Sequence, residues 1–154
     1  MTPPVRRLVF LSAEANSIDE ARDAVLPRDL PVIALCWLAP VPATAVALSN
    51  CTLVDLSASE PSAGERLLRW SGLMALDAAL RTSSPGRLLA SIGLAHRSRL
   101  FAARVGRSSA WQPQPGDAVI ALDLAATRAA WLAQRHTAGV TATLGLRAGL
   151  ARLG

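Results

Sequence analysis

Pro31–Leu38 reads PVIALCWL, apolar at every position. Strand side chains point alternately to opposite faces, so a half-buried strand alternates apolar with polar residues. A run with no polar position has no water-facing side. It therefore belongs to a strand covered on both faces, as in a parallel sheet between two helical layers. Four further β-rich runs surround it: Val5–Ser12 (VRRLVFLS), Thr52–Ser57 (TLVDLS), Ala118–Asp123 (AVIALD) and Val140–Leu146 (VTATLGL).

Helical signals fill the intervals. Ser17 and Glu20 have capping-box spacing, and Ile18, Ala21 and Val25 follow at helical period until Pro27 stops the helix. Ala43–Leu48 predicts a short helix. Ala63–Arg81 predicts a longer one, closed by the Ser83-Ser84-Pro85-Gly86 punctuation. Another spans Arg87–Val105, with a bend at Gly93, and a linker runs from Ser108 to Asp117 (SSAWQPQPGD). Leu124–His136 predicts a helix, and the last residues begin one more. Strands alternating with helices require right-handed crossovers and a parallel sheet. The expectation is one α/β domain over residues 1–154: a Rossmann-like three-layer fold with a mostly parallel five-stranded sheet in the order 3-2-1-4-5.

Composition excludes several chemistries. All 16 basic residues are arginine, and there is no tyrosine. Without lysine there is no Schiff base and no Walker A phosphate lysine. A Tyr/Lys hydride-transfer pair is likewise out. The loop after the first strand, SAEANS (Ser12–Ser17), has no glycine, so the G-x-G-x-x-G turn of NAD or FAD sites is missing. No G-x-S-x-G elbow occurs. His96 and His136 lack metal-ligand spacing with each other or with Cys36 and Cys51, and the two cysteines read as small buried hydrophobes. No cofactor and no metal is expected. Leu30–Val54 carries no charge, but Pro31, Pro40 and Pro42 interrupt it, which argues against a membrane span. A cytoplasmic location is expected.

In open parallel sheets, ligands sit beyond the carboxyl ends of the strands, at the switch point. Those ends carry Ser12, Glu14 and Asn16 after the first strand, Trp37 after the second, Ser57 and Ser59 after the third, and Asp123 after the fourth. Glu14 reads either as a base or as a solvated loop residue. Asp123 reads either as a ligand for a substrate hydroxyl or as the cap of the following helix. A second candidate is electrostatic. Six arginines and no acid lie between Asp77 and Asp117, whereas the rest of the chain is net −1. On one continuous helix, Arg97, Arg104 and Arg107 share a broad face able to meet phosphates. The alternatives are a solvated face, or burial of these arginines in pairs with acids such as Glu65 or Asp77. Trp131 lies among Thr127, Arg128, Gln134 and Arg135, opposite a stripe of alanines; it either snorkels beside the arginines or is covered by a loop or partner.

The stretch Pro115–Leu146, PGDAVIALDLAATRAAWLAQRHTAGVTATLGL, resembles the N-terminal domain of GT-B glycosyltransferases of the GT4-like kind. The likeness lies in a proline–aspartate lead into a strand, an acidic residue, an Ala-rich helix with a tryptophan and arginines, and another strand. It implies an acceptor-side domain with its cleft at Ser12, Glu14, Asn16 and Asp123. The nucleotide-sugar half would lie in a second domain, so the chain is expected to be inactive alone or to act with a second-domain or protein partner. The competing expectation is a non-enzymatic module whose arginine segment meets a polyanion, an anionic membrane surface, nucleic acid or a protein.

Overall fold

In the computed structural model the described residues are 4–13, 17–18, 20–21, 24, 30–36, 51–57, 61–71 and 97–152. Their strands are β1 (Arg7–Ser12), β2 (Val32–Cys36), β3 (Cys51–Asp55), β4 (Asp117–Ala121) and β5 (Thr141–Leu144). Their helices are α1 (Ala63–Trp70), α2 (Arg97–Arg107), α3 (Thr127–His136) and α4 (Leu146–Ala151). Ser17, Ile18, Glu20, Ala21 and Ala24 are also helical, where the capping box predicts a helix. The expected helix at Ala43–Leu48, the bend at Gly93 and the Ser83–Gly86 break lie outside the described residues.

The five strands form one sheet in the order β3-β2-β1-β4-β5, and every pairing is parallel. This is the Rossmann-like α/β arrangement expected from the strand pattern. The alternation of side chains divides the core into two. Leu8, Phe10, Val32, Ala34, Cys36, Ala118 and Ile120 point to one face, against Ile18, Ala21, Leu146 and Leu150. Val9, Leu11, Leu35, Val119 and Ala121 point to the other, against α2, Trp111 and the Ala129, Ala130 and Ala133 stripe of α3. Phe10, Leu8, Leu11 and Leu35 are almost wholly buried. Side chains of this size each gain roughly 1.5–3 kcal/mol from burial. Covering both faces thus explains why Val32–Cys36 has no polar position.

One boundary differs from the expected one, and glycines explain both it and the expected last helix. The fifth strand stops at Leu144 because Gly145 takes φ 84°, a left-handed conformation that turns the chain into α4. The last helix forms because Gly149 lets its backbone rest on β4: a Cβ there would collide with the Ile120 side chain. The Ser108–Asp117 linker is also more than a connector, since Trp111 within it is 3% exposed and part of the core. Cys36 is buried and Cys51 half-buried, both as thiols in the apolar interior. Among the described residues, no helix is long and apolar enough to cross a membrane.

Candidate functional site

The chain leaves β1 toward β2 on one side and returns as β4 on the other. The switch point is therefore the gap between the carboxyl ends of β1 and β4, where an open sheet forms its crevice. Ser12 closes β1 and is fully buried. Asp123 follows β4 by two residues and reaches across. Its Oδ2 accepts hydrogen bonds from Ser12 Oγ at 2.8 Å and from the Ala13 amide at 2.6 Å. Its Oδ1 accepts from the Ala126 amide at 2.9 Å.

One carboxylate thus does two things. It caps the turn at residues 124–126 that leads into α3, satisfying an amide at the start of the helix. It also ties the end of β1 to the end of β4, fixing the rim of the crevice. The hydroxyl held by Asp123 is that of Ser12. Glu14, Asn16, Trp37 and Ser59 lie outside the described residues. Ser57 is exposed, and its amide donates to Asp55 Oδ1 at 2.7 Å, closing the turn after β3. Among the described residues no three His, Cys, Asp or Glu side chains cluster to hold a metal.

The bridge has a measurable consequence. In Asp123→Asn the amide oxygen can still cap Ala126, but the amide nitrogen cannot accept from Ser12 Oγ–H or the Ala13 N–H. The expected loss in urea denaturation is about 1–2 kcal/mol. Faster hydrogen exchange at Ala13 should accompany it. Unchanged exchange at Ala13 would mean that Asp123 does not hold the end of β1.

The arginine candidates separate. Arg97 and Arg107 are exposed, but Arg104 is buried. Its Nη2 donates to Glu65 Oε1 at 2.7 Å, its Nε to Glu65 Oε2 at 3.1 Å, and its Nη1 to the Leu56 carbonyl at 2.6 Å. This corrects the expectation of one phosphate-meeting face over Arg97, Arg104 and Arg107. The reason is tertiary: α2 lies against the sheet through Leu100, Phe101 and Val105, and Arg104 falls within that buried side. Its partner acid is Glu65 on α1. Ser62 accepts the Glu65 amide at 3.0 Å and caps α1, so Ser62 and Glu65 have capping-box spacing in a stretch where the sequence pattern marked only a helix.

A second polar cluster sits at the opposite, amino-terminal edge of β1 and β4. Asp117 is 2% exposed and accepts Arg7 Nε at 2.9 Å on Oδ1. Its Oδ2 takes Arg7 Nη2 at 2.6 Å, the Gln114 amide at 3.0 Å and Trp111 Nε1 at 3.1 Å. On α3, Trp131 is half-exposed and the Arg135 guanidinium lies 5.0 Å from its ring centre. That is the snorkelling arrangement, with a cation over the indole face.

Comparison with family models, with curated proteins and with solved structures finds no match to this chain.

Proposed function

We propose that this domain binds a small polar molecule at the β1/β4 switch point, as the acceptor-side half of a glycosyl-transferring enzyme. The observation that carries the reading is the topological reversal between β1 and β4, spanned by Asp123. The glycosyl part rests on the resemblance of Pro115–Leu146 to the GT4-like N-terminal domain. In this reading Asp123 is a positioning residue: its oxygens hold Ser12, Ala13 and Ala126, and they shape the rim that a ligand would meet. The donor nucleotide sugar belongs to a partner domain, and transfer needs both halves.

The test is an amide-resolved titration of the labelled chain with free sugars and with UDP- and GDP-sugars, alongside a turnover assay. Sugar binding should shift the amides of Ser12, Ala13 and Ala126, and the isolated chain should release no nucleotide. Silence at those amides with every sugar would sink the reading, as would turnover of a nucleotide sugar by this chain alone.

A second reading has its own observation. In residues 97–152 the acids are Asp117 and Asp123, the first buried and the second half-buried, both engaged in internal hydrogen bonds. Arg97, Arg107, Arg128 and Arg135 on α2 and α3 are exposed. The outer surface of α2 and α3 is therefore cationic without an exposed carboxylate; Trp131 stands out from α3, and Leu124 is exposed in the turn before it. Such a surface suits an anionic bilayer, with arginines on phosphates and apolar side chains in the interface. Binding to phosphatidylserine vesicles should weaken steeply with added salt. Arg128→Gln with Arg135→Gln should weaken it further without loss of fold, because exposed charges contribute little stability. Absence of vesicle binding at low salt would leave these arginines as a solvated face.

A further inference from the structure

A cavity of about 510 Å³ opens at the amino-terminal edge of the sheet, away from the switch point. It lies between the carboxyl ends of α2 and α3 and the loop that carries Trp111. Its walls include Val105, Trp111, Leu132 and Ala133, and Arg107 and His136 stand among its polar residues. The volume falls within the range of small-molecule sites, roughly 300–1,000 Å³.

Two features make it a formed site. Trp111 is buried and its indole N–H is held by Asp117, which is itself held by Arg7. The aromatic wall is therefore anchored before any ligand arrives, which lowers the ordering cost of binding. Arg107 Nε donates to the Ala103 carbonyl at 3.1 Å. That bond offsets the partial negative charge of the α2 terminus and leaves the terminal guanidinium nitrogens to meet a ligand. Among the described residues, no carboxylate lines the cavity.

We propose that this cavity binds a small amphipathic anion: an apolar ring or chain against Trp111 and Leu132, carrying one carboxylate that Arg107 receives. A guanidinium and a carboxylate make charge-assisted, often paired hydrogen bonds. A cationic amphiphile would meet Arg107 with like charge, and a neutral one would forgo the ion pair. The site is independent of the sugar reading at the other edge of the sheet.

Calorimetry on the full chain with naphthoate tests it, using naphthylmethanol and naphthylmethylammonium as neutral and cationic counterparts. Naphthoate should bind at one site, roughly tenfold or more tighter than either counterpart, as one charge-assisted hydrogen-bonded contact implies. Gly106 provides the blocking variant. It lines the cavity, lies on α2, and has open space where a Cβ would stand. Gly106→Phe should fill the mouth and abolish binding while the melting temperature stays equal or rises, since phenylalanine is the better helix former. Arg107→Gln should weaken naphthoate roughly tenfold and leave naphthylmethanol unchanged. Arg147→Gln, on α4 across the sheet, should change neither. Equal affinities for the three probes, or no heat with naphthoate, would overturn the proposal. So would naphthoate binding that survives Gly106→Phe or Arg107→Gln. If Gly106→Phe does not fold, the Arg107→Gln result decides.

Discussion

Glu65→Ala should destabilise the domain by about 3–5 kcal/mol, a large part of the roughly 5–15 kcal/mol that holds most domains folded. The side chains of Glu65 and Arg104 are 1% and 3% exposed, so removing the carboxylate strands a guanidinium away from water. Two of its donors lose their acceptor at once, while the bond to the Leu56 carbonyl remains. The loss measures that stranded charge more than the worth of the pair. Replacing both, as Glu65→Leu with Arg104→Met, should recover most of it, because an apolar pair of similar volume needs no solvation. A residual of about 1 kcal/mol is expected from the Leu56 carbonyl, which then lacks this donor. Urea denaturation of these two variants beside the unaltered chain checks the ordering. A Glu65→Ala loss below about 1 kcal/mol would mean that the pair is solvated, in line with an exposed ion pair. Arg104 would then return to the group of arginines able to meet a polyanion.

The second large effect is expected at Asp117. This carboxylate receives four hydrogen bonds, from Arg7 twice, Trp111 and Gln114. Asp117→Ala should cost about 2–4 kcal/mol in urea denaturation, since it leaves the buried indole N–H and the Gln114 amide without this acceptor. Arg7→Gln should cost about 1–3 kcal/mol, because it removes the counter-ion of the Asp117 carboxylate, which is 2% exposed, while the Trp111 and Gln114 donors stay in place. The near-ultraviolet circular dichroism of Asp117→Ala should also drop as Trp111 loses its fixed orientation. Retention of both stability and that signal would show that apolar packing alone holds the linker. The same variant should weaken naphthoate binding, because the anchored wall of the cavity is the indole that Asp117 holds.

The sheet was legible because its cause is local in the chain. PVIALCWL and AVIALD carry no polar alternation, and that pattern alone implies cover on both faces. Intervening helical periods then require parallel neighbours. The dual reading of Asp123 was legible too, since an acid just before a helix has capping geometry available to it. Its link to Ser12 was not, because 111 positions separate the two residues and only β1/β4 pairing brings them together.

Charge was the poorest guide to placement. Counting arginines located the basic segment, and helical spacing put Arg97, Arg104 and Arg107 on one side. Spacing fixes which residues share a helix face but not which way the helix turns that face. The turn is set by what packs beneath it, here Leu100, Phe101 and Val105 against the sheet. Burial of Arg104 then follows, and Glu65 stands where an opposite charge is needed. The linker behaved similarly. SSAWQPQPGD has the composition of a surface connection, yet Trp111 is drawn into the core by its apolar area and by the acceptor that Asp117 offers its N–H. By itself the amino-acid sequence determined the class of fold, the order of its strands and the chemistries its composition excludes, since these depend on residue type and short-range period. Tertiary structure decided which polar groups meet across β1, β4 and α2, because hydrogen bonds and ion pairs form between neighbours in space, whatever their separation along the chain.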